Sequence, residues 1–209
     1  MKGALLRMTF MKDWRFIVGI AAAHVLLFVT FSDQDIFWYI YTAANLFFIS
    51  ISIISEPIDD QQKTNSFMVY GITSGLILYA LFAAAFWLLS LMPLSVTTHV
   101  SAIYALFSPE FIWHYIVLVL VLIPGEELFW RGFIQKRLGQ YMNEWLAVLI
   151  AAALYASVFV YSGQWIWMMA AFCAGLFWGV LYVWKKSIPM LIISHLIFDL
   201  LLIIFLPLG

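Results

Sequence analysis

Between Glu144 and Lys185 the chain runs for 40 residues without a formal charge. No other feature narrows its fold as sharply. Soluble domains hold about 25% charged residues, whereas this sequence holds 10%, with 66% hydrophobic residues and a mean hydropathy of +1.02. The chain therefore reads as an integral membrane protein. Only helices and closed barrels satisfy their backbone groups in lipid. Stretches such as Val117-Leu118-Val119-Leu120-Val121-Leu122-Ile123 lack the alternation of a barrel strand. The expected fold is all-α, a polytopic transmembrane helix bundle.

The spacing of the charges divides that bundle. A span needs about 20 apolar residues, and the uncharged runs predict seven, over about 15–32, 36–55, 67–92, 110–138, 145–161, 165–184 and 188–207. Ser162-Gly163-Gln164 is the turn that splits the 40-residue run. The segment 93–109, bounded by Met92-Pro93 and Ser108-Pro109, either crosses or lies flat. Lys and Arg favour the latter. They gather before the first span (Lys2, Arg7, Lys12, Arg15) and after the second, fourth and sixth (Lys63, Lys136-Arg137, Lys185-Lys186). The loops 33–35, 93–109 and 162–164 carry none. Seven spans with a cytoplasmic N-terminus obey the positive-inside rule; eight spans break it. No signal-peptide cleavage pattern is expected near the start. Leu5, Leu6, Met8, Phe10 and Trp14 among basic residues suggest an interfacial entry helix. With no internal repeat, residues 1–109 form an N-terminal region and 110–209 a core within one bundle.

Composition also excludes partners. Ten Lys and Arg against eleven Asp and Glu give a net charge of −1, so no basic face offers itself to nucleic acid. A single cysteine, Cys173, allows neither a disulfide framework nor a cysteine-built zinc site; it reads as a small packing residue. Membrane lipid is the expected partner.

Ionisable residues inside a span are costly and default to functional hypotheses. Span four contains Glu126, Glu127 and Arg131. Glu127 and Arg131 are four apart and stack on one helix face as an ion pair. Glu126 lies about 100° round the axis from Glu127 and about 16 Å from Arg137 along it, so it points elsewhere at membrane depth, without that partner. Span seven supplies His195 and Asp199, again four apart, with His195 about 11 Å below the end near Ile188. These two constellations lie at similar depth, and a bundle could gather Glu126, His195 and Asp199 around one small polar cavity. The chemistry such a cavity permits is peptide hydrolysis. Glu126 would act as general base toward water, and His195 with Asp199 would position that water or steady an oxyanion.

At these residues the sequence resembles the CAAX-protease and bacteriocin-processing family, the glutamic intramembrane proteases also called CPBP or Abi proteins. Its first motif, E-E-x-x-x-R, is matched by Glu126, Glu127 and Arg131, followed by Gly132-Phe133. Its third, H-x-x-x-N or H-x-x-x-D, is matched by His195 and Asp199 behind Lys185-Lys186-Ser187-Ile188-Pro189. The likeness covers about residues 110–207. The second motif, F-x-x-x-H, departs: Tyr155 stands where the Phe belongs and Phe159 where the His belongs. No His occurs between His114 and His195. The resemblance implies a membrane-embedded endopeptidase with Glu126 as base, His195 and Asp199 as the oxyanion pair, and Glu127 and Arg131 shaping the site. Tyr155, Ser157 or Tyr161 would stand in for the missing imidazole as hydrogen-bonding groups. Substrates implied are lipidated or bacteriocin-like peptides or membrane proteins, in what the compact chain suggests is a bacterial plasma membrane.

Other readings have less support. The H-E-x-x-H of zinc proteases is absent, and one His among Glu126, Glu127, His195 and Asp199 is too few for zinc; no metal or cofactor is expected. Ser74-Gly75 is a partial echo of a rhomboid-like serine protease and reads better as a helix-packing site. An aspartyl protease needs two membrane aspartates, and only Asp199 lies deep. His24 reads as packed, His99 as solvated, and His114 as too near the opposite face to serve. The main alternative is a non-catalytic scaffold or immunity protein that binds a peptide or membrane partner, favoured by Phe159 in place of His.

Overall fold

The computed structural model describes residues 13–58, 64–92 and 95–208. The suggested entry helix at Leu5, Leu6, Met8 and Phe10 lies outside them. Among the described residues there are eight helices and no strand. We label them α1 (Trp14–Ser32), α2 (Phe37–Ser55), α3 (Thr64–Ser90), α4 (Val96–Phe107), α5 (Ile112–Gly139), α6 (Glu144–Ser162), α7 (Trp165–Lys185) and α8 (Ile188–Phe205). Seven are long and apolar enough to cross a membrane, and α4, at 12 residues, is not. The chain is a multi-pass membrane protein, and segment 93–109 does not add an eighth span.

Caps set several boundaries. The side chain of Asp13 accepts from Phe16 N to start α1, that of Asn143 from Leu146 N to start α6, and that of Ser187 from Met190 N to start α8. Each satisfies a backbone donor that a first turn leaves orphaned. Between α6 and α7 the turn closes on Gly163 at φ 69°, where the missing Cβ removes the steric penalty.

Helix α5 is not a regular α-helix. It widens to π geometry over Leu118–Leu122 and again over Leu128–Gln135. Pro124, which has no N–H to give to the preceding turn, sits just after the first widening. Spacing rules built on 3.6 residues per turn hold only locally along this span.

Close approaches fix the neighbours. A Cβ on Gly125 would lie 2.7 Å from Asn45 Oδ1, so only glycine lets α2 come this near α5. Helix α3 packs along α8 through Gly71 and Gly75; a Cβ on Gly75 would sit 2.5 Å from the Ser194 carbonyl. Beside it, Ser74 Oγ donates to Ser194 Oγ at 2.9 Å. This is the small-residue packing expected of membrane helices. Gly75→Leu is therefore expected to push α3 off α8. It should destabilise the bundle by about 1–3 kcal/mol, the usual cost of overpacking, seen as a lower unfolding midpoint in detergent.

At one end of the bundle Arg137 Nε reaches Asp13 at 3.2 Å and Glu56 at 3.0 Å, joining the starts and ends of α1, α2 and α5. Tyr141 donates to Asp13 at 2.9 Å. Burial, then this carboxylate, raise the Tyr141 hydroxyl above its usual range. His24 on α1 meets Tyr161 (3.1 Å) and Ser157 (3.3 Å) on α6, which is packing. His99 is not merely solvated, since its Nδ1 stands 3.1 Å from Gln164 Oε1.

Candidate functional site

Glu126 and Glu127 adjoin in sequence but face different surroundings, as a step of about 100° requires. Glu127 is wholly buried (0% exposed). Its Oε1 accepts from Arg131 at 3.1 Å and from His195 Nδ1 at 2.7 Å. A carboxylate only accepts, so Nδ1 carries the proton, and Nε2 is left 3.5 Å from Asp199 Oδ2. The imidazole is thus strung between two carboxylates on α5 and α8. Trp178 of α7 stacks on its face, with centroids 3.9 Å apart, and donates Nε1–H to Ser194 at 3.1 Å. Arg131 is clasped by Glu127 and by the rings of Tyr155 and Trp178, 4.8 and 5.2 Å from the guanidinium carbon.

Glu126, at 7% exposure, opens onto a cavity of about 750 Å³. Helical spacing gives it no partner on its own helix, but the fold gives it two from other helices. Tyr155 donates to Oε2 at 2.6 Å, and Tyr41 donates to Oε1. Sequence reasoning named Tyr155 and missed Tyr41. No spacing in the sequence points to Tyr41, which reaches Glu126 only because α2 packs on α5 where Asn45, one turn further along, meets Gly125. Each carboxylate oxygen keeps acceptor capacity, because an ionised carboxylate offers about four sites.

The cavity wall includes Glu126, Tyr41, Tyr155, Phe159, His195 and Asp199. Glu126, His195 and Asp199 line one cavity, but it is not the small polar space expected. It is large and mainly apolar, because α3, α4 and α7 turn aromatic and aliphatic side chains into it. Within it, His195 is linked directly to Glu127, not to Glu126. Phe159 sits edge-on to Tyr155 at 5.3 Å, so no imidazole faces Glu126 from α6. Cys173, read as a packing residue, is exposed and borders the same cavity.

Comparison with known proteins points to the same half of the chain. Residues 108–201 match the family of Rce1-like type II CAAX prenyl endopeptidases. Over 94 residues the chain is 31% identical to "Uncharacterized protein YpbD" of Bacillus subtilis (strain 168), covering 45% of this chain and 46% of that protein. The chain thus spans about half the length of the curated relative it matches. No solved structure matches. The part of the chain that holds both polar constellations is, by sequence, similar to the Rce1-like endopeptidases of the CAAX-protease and bacteriocin-processing family.

Proposed function

We propose that the chain is an intramembrane endopeptidase in which Glu126 activates water against a peptide carbonyl. The observation that carries this reading is a carboxylate held by two tyrosine hydroxyls at the wall of a membrane-depth cavity, beside an imidazole fixed between two carboxylates. Water on the free acceptor sites of Glu126 gives its proton to the carboxylate as its oxygen attacks the carbonyl carbon. The oxyanion is met by His195, with Nε2 protonated and Asp199 holding the ring's charge. Glu126 then passes the proton to the leaving nitrogen as the C–N bond breaks. Glu127 and Arg131 keep His195 in place. The substrate is a lipidated or bacteriocin-like peptide, and the Lys and Arg pattern supports a cytoplasmic N-terminus.

One observation favours a second reading, a scaffold or immunity protein that binds without cleaving. Both oxygens of Glu126 already hold tyrosines, and Phe159 supplies no base. Purified protein in vesicles with candidate peptides, followed by mass spectrometry, separates the two: new termini support the endopeptidase, and intact peptides support the scaffold. Phe159→His lies one turn from Tyr155 on the cavity wall and is expected to raise the cleavage rate by about tenfold or more, toward the usual gain from a placed acid–base group. A lower rate would place the second-motif imidazole elsewhere.

A further inference from the structure

Tyr41 belongs to α2, in the N-terminal half of the chain, yet its hydroxyl donates to Glu126 Oε1. The sequence dictates how it gets there. Phe37, Tyr41, Asn45, Phe48 and Ser52 recur every three or four residues, share one helix face, and are all buried. The helix is pinned along α5. Near its start the Trp38 ring stacks on His114, with centroids 4.5 Å apart, and in its middle Asn45 meets Gly125. A turn later Phe48 stacks on Phe129 at 4.4 Å, and beyond the last turn Glu56 reaches Arg137. Asn45 Nδ2 also donates to the Tyr41 carbonyl at 3.1 Å, which ties the point of closest approach to the residue at the site.

A glutamate carboxyl turns easily, because its terminal torsion has broad wells. On the wall of a mainly apolar cavity little else holds it, and Phe159, edge-on to Tyr155, offers no polar atom. Tyr155 fixes Oε2 from α6, and Tyr41 fixes Oε1 from α2. One donor leaves a pivot; two donors on opposite oxygens set the plane. We infer that Tyr41 is a positioning residue for Glu126: its hydroxyl fixes the plane of the carboxylate, and so the direction from which a bound water meets the peptide carbonyl. The inference rests on the endopeptidase reading above, and it gives the N-terminal half of the chain a part in the site. Removing the hydroxyl alone leaves the apolar contacts to a substrate in place, so the loss falls on kcat and not on KM.

The test compares wild type, Tyr41→Phe and Tyr41→p-aminophenylalanine in dodecyl maltoside micelles. Substrates are fluorescence-quenched Leu/Ala peptides, with and without an S-alkylated cysteine. Tyr41→Phe keeps the ring against Phe37. It is expected to lower kcat by about 10–100-fold, as a small misplacement of a reacting group does, with KM within about twofold and the unfolding midpoint unchanged. The amino variant restores a donor and is expected to regain most of the lost rate. A kcat within about twofold of wild type, a loss carried by KM, a lower midpoint, or no recovery in the amino variant would overturn the inference. Infrared difference spectra of protein labelled with ¹³C-carboxyl glutamate, each taken against the matching Glu126→Gln variant, read the carboxyl group without a substrate. Its band is expected to shift and broaden in Tyr41→Phe, and an unchanged band would overturn the inference. If wild type leaves every peptide intact, the endopeptidase reading falls, and a shifted band leaves Tyr41 as the group that orients Glu126.

Discussion

Glu126→Gln is expected to abolish peptide cleavage while the protein still folds and inserts. Glutamine keeps the shape and an acceptor for one tyrosine, but it cannot take a proton from water. Loss of a placed general base costs about 10²–10⁴-fold, enough to bring cleavage to background. Folding should survive, because Tyr41 and Tyr155 retain a polar partner and no buried charge is stranded. Cleavage rates and unfolding midpoints measured on the same preparation check both halves. A Glu126→Gln protein that cleaves at half the wild-type rate or better would remove Glu126 from the chemistry.

Glu127→Ala should act in the opposite way, on the fold first. Its side chain is sealed and serves Arg131 and His195 together. Removing it leaves a guanidinium in a dry site with only ring faces beside it. Breaking a buried pair by deleting one partner costs about 3–5 kcal/mol. The unfolding midpoint in detergent should fall accordingly, and activity should fall with it because His195 loses its anchor. Glu127→Gln, which restores an acceptor, is expected to recover part of the stability. A Glu127→Ala protein within about 1 kcal/mol of wild type would mean that Arg131 and His195 find water or another partner.

These two predictions concern adjacent residues, and their contrast shows what a linear sequence reveals. The spans were legible because uncharged length maps directly onto bilayer thickness. The pairing of Glu127 with Arg131, and of His195 with Asp199, was legible because positions four apart share a face within one helix. What spacing cannot provide is the rotation of one helix against another. That is why His195 was placed with Glu126 and turned out to lean on Glu127, and why Tyr41, from a helix 85 residues away, was missed. The π turns in α5 add to the difficulty, since each shifts the faces that follow it. Apolar lining is similarly silent. In a chain this hydrophobic, side chains that meet lipid and side chains that line a cavity have the same composition, so the size of the space could not be foreseen.

The most direct test of Glu126 as a base toward water is a single turnover in H₂¹⁸O, with enzyme in excess over a peptide it cleaves. Attack by water held at Glu126 predicts one ¹⁸O in the new carboxyl terminus and none in the peptide fragment that contains Glu126. Label on the Glu126 carboxylate after that one turnover, or a product terminus without ¹⁸O, would contradict the account.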